Sequence, residues 1–229
     1  METERPTLRS FLPAIITGAI FVLITVLVSI WAWGQLPADA QLPTHWGPNG
    51  QPDRYGNKIQ GLFMMPLVIA IMTLLFTVIA YVEPRRKHIS KSLPVYNIIL
   101  IAITGFFAGL HIVMILNYLG SSISIARIVP LGIGILFIII GNFMGKVRSN
   151  FMLGIKTPWT LSSETAWNKT HRLGGWAFLL TGLAIILSSI FCSGTVTMIV
   201  LLVGVALILL ISFGYSYWAW SRSSDRRES

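Results

Sequence analysis

Five long stretches of the 229-residue chain contain no Asp, Glu, Lys or Arg: residues 10–38, 59–82, 92–126, 128–145 and 173–221. A helix rises 1.5 Å per residue, so roughly 20 apolar residues cross the hydrocarbon core of a bilayer. The last stretch is too long for one helix and divides at Ser193-Gly194, a turn signal with an apolar segment on each side. The pattern predicts six membrane-spanning helices, over residues 11–33, 62–82, 94–118, 128–146, 174–192 and 195–218. The uncharged runs do not alternate with polar helix faces, which excludes one large soluble domain. The predicted fold is an all-α polytopic membrane protein in two regions. Residues 1–90 form a two-helix region with a structured outer loop over 34–61, and residues 91–229 form a four-helix region with a second loop of interest over 146–173.

Composition agrees and charge adds the orientation. The chain is 54% hydrophobic and only 11% charged, where a soluble domain is about 25% charged. Its net charge of +9 would suggest nucleic acid in a soluble protein, but in a spanning chain a basic excess records which loops stay in the cytoplasm. Alternating the loops across the membrane puts fourteen of the 17 Lys and Arg, with six acids, on the side that holds both termini, and Arg54, Lys58 and Arg127, with two acids, on the other. Both termini are therefore predicted to be cytoplasmic, in the cell membrane, with the bilayer as partner and no direct nucleic-acid binding. Trp31, Trp33, Trp176, Trp218 and Trp220 lie at predicted span ends, where an amphipathic ring suits the headgroup layer. Arg5, Arg9, an apolar run and Ala38-Asp39-Ala40 imitate a signal peptide. The run is about 23 residues where an h-region has about 7 to 15, so residues 1–40 are expected to be retained. The single Cys192 excludes a disulfide framework and a thiolate cluster.

The polar residues inside the spans narrow the functional classes. None is a carboxylate, Lys or Arg, which argues against the relay of a proton- or sodium-coupled carrier. Span three carries Asn97, Thr104, His111 and Tyr118 at seven-residue intervals, nearly two turns, so they form one slowly drifting stripe that must face protein or water. His111 is the only ionisable residue at mid-membrane depth; it is either functional or a neutral imidazole bonded to a neighbouring helix. Gly105 with Gly109 and Gly141 with Gly145 have the GxxxG spacing that permits close helix approach. Thr25 and Ser29, and Thr73 and Thr77, read as hydrogen bonds within or between helices.

Two loops carry the remaining chemistry. The outer loop holds Pro43, Pro48, Asn49-Gly50, Pro52-Asp53 and Gly56-Asn57, turn chemistry that predicts a folded cap with a short strand pair. His45, Trp46, Asp53, Arg54, Tyr55 and Lys58, with Asn97, Thr104 and His111 of the stripe, are the candidate ligand-binding residues. The alternative is that His45, Asp53 and Arg54 pair with each other to hold the cap together. One His and one Asp fall short of the three or four ligands of a metal site, and no cofactor is implied. In the inner loop Thr157-Pro158-Trp159-Thr160 should be extended or turned. A helix should follow, with Ser162 as N-cap, Leu161 before it and Glu164 in its first turn. On that helix Trp167 and His171 share a face, with Asn168 and Arg172 beside them. Lys146, Arg148, Lys169 and Arg172 are explained by topology and anionic lipid. The aromatic clustering is denser than topology requires. The candidate cytoplasmic partner-binding residues are Asn150, Lys156, Thr157, Pro158, Trp159, Thr160, Leu161, Glu164, Trp167, Thr170, His171 and Arg172.

The stretch GNFMGKVRSNFMLGIKTPWTLSSETAWNKTHRLGG, Gly141 to Gly175, resembles the signature of the SdpI family of bacterial immunity membrane proteins, whose hallmark is a [RK]TPWTL segment followed by a Trp and a THR sequence. LPTHWGPNGQPDRYGNK, Leu42 to Lys58, resembles the outer loop of an uncharacterised domain that commonly precedes that segment. With the six spans the resemblance covers essentially the whole chain. It departs at Gly145, where many members have proline, and at Lys156, where many have arginine. The resemblance implies a non-enzymatic multipass protein that protects a bacterium from a secreted, membrane-active toxic peptide. It also implies a possible second partner, a small DNA-binding autorepressor sequestered at the membrane when toxin is present. The rival reading is a transporter or flippase for a lipid or small amphiphile, which a polar cavity along the span-three stripe would favour and a dry, closely packed stripe would oppose. An intramembrane enzyme would need HExxH, a GxSxG elbow or a membrane-embedded acid, and the chain has none.

Overall fold

The computed structural model describes residues 7–47 and 50–225, and within them the side chains of residues 86–88 are not described. Arg5, Pro48, Asn49, Arg226 and Arg227 of the sequence reading lie outside the described residues. A 3-10 turn, Leu8–Phe11, leads into α1, Leu12–Gln35. A hairpin of β1, Leu42–Trp46, and β2, Pro52–Gly56, follows, then α2, Lys58–Tyr81, α3, Arg86–Tyr118, and α4, Ile125–Met144. The chain ends in α5, Pro158–Ser162, α6, Glu164–Phe191, and α7, Gly194–Ser221. Among the described residues six helices, all but the short α5, are long and apolar enough to cross a membrane. They are the six expected. The third and fifth start earlier than the hydropathy suggested, at Arg86 and Glu164, because a helix continues past the apolar stretch until a cap ends it. Pro94 sits inside α3 without ending it.

The polar stripe of α3 is used against α1. Asn97 Nδ2 donates to Ser10 O at 3.0 Å, and His111 Nε2 lies 2.9 Å from Ser29 Oγ, whose hydroxyl donates to Leu62 O of α2 at 2.5 Å. Tyr118 Oη donates to Pro43 O of the hairpin at 2.7 Å. Phe21 faces Gly105 and Ser29 faces His111, so position advances in the same direction on both helices and α1 and α3 run parallel. Thr104 and His111 are fully buried, and Thr104 donates to Leu100 O of its own helix at 2.8 Å. Thr25, Thr73 and Thr77 likewise donate to carbonyls one turn back.

The tightest helix approach joins α4 to α6. A Cβ placed on Gly141 would lie 2.6 Å from Gly175 O, and one placed on Gly182 would lie 2.6 Å from Gly134 O. Gly134 faces Gly182 and Gly141 faces Gly175, so the helices are antiparallel and touch backbone to backbone. Seven residues is nearly two turns, which keeps each pair on one face. The GxxxG expectation is corrected here: Gly109 and Gly145 have nothing within 4 Å of where a Cβ would stand. Gly145 is the C-cap of α4, past the crossing. Gly105 meets only the ring of Phe21 on α1, at 3.3 Å.

The hairpin is pinned to the bundle by its first residue. Leu42 packs with Ala32, Leu62 and Ile115 and lies against Gly61, where an added Cβ would come within 2.6 Å of its Cδ1. Asn57 closes the other end as N-cap of α2, accepting from Gln60 N at 2.9 Å while Gln60 Oε1 accepts from Asn57 N at 3.1 Å.

Candidate functional site

The segment from Lys146 to Leu173 turns back into the protein. Asn150 is fully buried. Its Oδ1 accepts from Met152 N at 2.7 Å and Leu153 N at 2.6 Å, and its Nδ2 donates to Arg148 O at 2.7 Å. A buried amide that both donates and accepts fixes a turn that has no other secondary structure. Gly154 follows at φ +119°, and an added Cβ would stand 2.2 Å from His171 Nε2. Only glycine fits that backbone and that space.

The close approach brings Ile155 N–H to His171 Nε2, at 2.9 Å. An amide can only donate, so Nε2 accepts and the ring proton sits on Nδ1, which donates to Trp167 O at 2.8 Å. His171 is thus held as one neutral tautomer, stacked on Trp167 at 3.9 Å with an interplanar angle of 18°. Trp167 Nε1 donates to Val147 O at 2.8 Å, closing the ring of contacts back to the start of the segment.

Thr157 is extended and caps α5, in a capping box with Thr160 and with Pro158 in the first turn. This corrects the expectation that Thr157-Pro158-Trp159-Thr160 is wholly extended or turned. Proline restricts the residue before it, Thr157, while its own φ suits the first helical position. The N-cap of α6 is corrected too: it is Ser163, which accepts from Ala166 N at 3.0 Å, because Ser162 is already the last residue of α5. The short α5 leans on α7: Thr157 Oγ1 donates to Ser216 Oγ at 3.1 Å, and Trp159 meets Phe213 and Tyr217 edge-on at 4.8 and 5.2 Å.

Two residues that the sequence reading missed tie the segment to the α2–α3 turn. Glu83, 2% exposed, accepts from Phe151 N and from Arg85 N, both at 3.1 Å. Arg85 donates to Ser149 Oγ and, at 2.9 Å, to Leu161 O, with its guanidinium 4.5 Å from the centre of the Phe151 ring. The signal was present as a lone carboxylate at a span end among four basic residues. Asp225 was missed as well. It accepts from Ser163 Oγ at 2.7 Å and from Thr165 N at 3.1 Å. Desolvation opposes ionisation of this carboxyl, but the bonds from Ser163 and Thr165 outweigh it and hold its pKa down at about 2.

Of the twelve candidates in this segment, Asn150, Thr157, Thr160, Trp167, Thr170 and His171 are buried, while Lys156, Pro158, Glu164 and Arg172 are exposed and Trp159 and Leu161 half-buried. The contacts above join Asn150, Thr157, Thr160, Trp167 and His171 in one clamp, through Ile155 and Val147.

The candidates on and around the hairpin are not gathered in the same way. His45 Nδ1 and Asp53 Oδ1 are 2.6 Å apart across the hairpin, both well exposed, and Arg54 lies opposite His45 in the strand register. Tyr55 is exposed on β2. Lys58 is buried and donates to Leu36 O, at the end of α1, at 2.7 Å, with its ammonium 4.6 Å from the centre of the Trp33 ring. There it neutralises the negative end of a helix dipole. Asn97, Thr104 and His111 lie between helices and do not join the hairpin residues. Trp46 and His45 instead edge a half-open apolar cavity of about 270 Å³ beneath the hairpin.

Two family models match the chain: the SdpI/YfhL protein family over residues 146–216 and a domain of unknown function (DUF1648) over residues 20–70. The chain is 29% identical over 212 residues to a protein named Immunity protein SdpI of Bacillus subtilis (strain 168), covering 93% of this chain and 98% of that one. No solved structure matches.

Proposed function

Starting from a six-span membrane protein whose residues 146–216 match the SdpI/YfhL family and which aligns almost end to end with an immunity protein, we propose that this chain protects a bacterial cytoplasmic membrane from a secreted toxic peptide. It is non-enzymatic and lies with both termini in the cytoplasm, a reading that the distribution of Lys and Arg supports. The hairpin with His45, Trp46, Asp53, Arg54 and Tyr55 meets the peptide on the outer side. On the inner side the exposed edge of the clamp, Lys156, Glu164 and Arg172, meets a small DNA-binding repressor.

The observation that carries this reading is the clamp itself. It joins the α2–α3 turn through Glu83 and Arg85, α7 through Ser216, and the segment after α7 through Asp225. A relative shift of these elements must rearrange it, which is what a two-state report across a membrane needs, provided the peptide binds one state better than the other. Carriage of an amphiphile along the α3 stripe is less well supported, since Thr104 and His111 are fully buried against neighbouring helices.

The test is membrane potential in a sensitive bacterium expressing the chain and challenged with a sporulation-delaying-type peptide. Retained potential is expected. Collapse despite verified membrane expression would overturn immunity to that peptide. Lys156→Ala with Arg172→Ala should keep protection but release a repressor partner, whereas His171→Ala should lose both by loosening the clamp.

A further inference from the structure

The half-open cavity beneath the hairpin has a depth and a chemistry of its own. Its floor and walls come from Met65 of α2, Met114 of α3, Val129 of α4 and Met198 of α7, and residues 44–47 of the hairpin roof it. Met114 lies four residues before the end of α3, and Val129 and Met198 lie four residues after the starts of α4 and α7. Met65 lies seven residues after the start of α2 and Leu110 eight before the end of α3, so the lining runs from about one to about two helical turns, 5.4 Å each, below the helix ends, into the hydrocarbon beneath the headgroups. Three flexible thioether side chains from three helices give a wall that adapts to an irregular apolar occupant. The cavity continues a lipid-facing surface, since Met64, Leu67, Ile199 and Leu202 on the same helices are exposed. Its size selects among occupants. A helix with its side chains, about 10 Å across, fills roughly 420 Å³ in one turn, more than the 270 Å³ here; a flexible hydrocarbon chain has no such minimum.

We propose that this cavity is a binding site for one acyl chain of an outer-leaflet lipid, with the headgroup end beneath the hairpin at Thr44 and His45. It does not rest on the immunity reading. The part of the chain next to the headgroup lies against the methionines, and the polar end meets the Thr44 hydroxyl and the His45–Asp53 pair at the rim.

The test uses the full chain in vesicles of phosphatidylethanolamine and phosphatidylglycerol, with a trace of phosphatidylethanolamine carrying a diazirine midway along one chain. After irradiation, adducts are located by mass spectrometry. Adducts on Met65, Met114, Val129 and Met198 should exceed those on Leu74, Leu209 and Leu210 several-fold, although the latter are 67%, 64% and 70% exposed. Val129→Trp, which fills the cavity from α4, should remove the excess and leave Leu209 and Leu210 unchanged. An even spread of adducts in the wild-type chain would overturn the proposal, with no variant needed. So would an excess that Val129→Trp does not alter, or one that passes to an added apolar peptide.

Discussion

Gly182→Ala tests the backbone seam between α4 and α6. The new Cβ would stand 2.6 Å from Gly134 O and 3.0 Å from Ile138 N, where ordinary contact begins at 3.4 Å. The neighbour is backbone, so no rotamer change relieves it, and the helices must part by about 0.8 Å, the difference between 3.4 and 2.6 Å. Parting them also loosens Gly141 against Gly175, seven residues or about 10 Å along the seam. Overpacking of this kind costs about 1–3 kcal/mol. Alanine returns up to about 1 kcal/mol as the better helix former. The net expectation is a loss of about 1–2 kcal/mol, a five- to thirtyfold shift in the folded ratio. Helical circular dichroism during denaturation in a fixed detergent would measure it, with Gly109→Ala as reference because nothing lies within 4 Å of its Cβ position. Gly109→Ala should be neutral or stabilising. Equal midpoints for the two variants would refute the reasoning, since propensity would then outweigh contact.

Three further outcomes follow from the clamp. Trp167→Phe keeps an aromatic face for His171 but strands the buried Val147 carbonyl that the indole N–H now satisfies, and should lower stability by about 1–2 kcal/mol in the same denaturation. Gly154→Ala faces both φ +119° and a 2.2 Å approach to His171 Nε2; it should cost more than Trp167→Phe and expose the Ile155 amide to faster hydrogen exchange. The Asp225 contact depends on its carboxylate, which is held at about 2 against an ordinary 3.8. Its contribution is therefore complete above 3.8, and declines as pH falls through about 2. The amide resonance of Thr165 should titrate near the lower value, and in Asp225→Asn it should not titrate there. A midpoint at the ordinary carboxylate value would show that the contact does not form.

The six spans were legible because lipid imposes a local rule: backbone polar groups must be satisfied within the segment, so an uncharged run of sufficient length reads as a helix. The hairpin was legible for a similar reason, since its turn residues act on their immediate neighbours. The clamp was legible only in part. Trp167 and His171 could be placed on one face by spacing, but their burial depends on Val147, Gly154 and Ile155, which no helical period connects to them. Arg85 reaches Leu161 across 76 positions and Ser163 reaches Asp225 across 62, and no pattern in a single sequence marks such pairs. GxxxG spacing misled because it tests only one helix. Gly134, Gly141, Gly175 and Gly182 matter because each meets another glycine, and Gly145 fails because the crossing ends before it.

The reach of Ser163 to Asp225 bears on the order in which the molecule is made. A chain leaving the ribosome has α2 and the Glu83–Arg85 turn early, but these wait for residues 149–161, and the start of α6 waits for residue 225. Synthesis proceeds at about 5–20 residues per second, so this face of the bundle stays open while the intervening spans enter the bilayer. A chain stopped short of residue 225 would lack the latch at the start of α6.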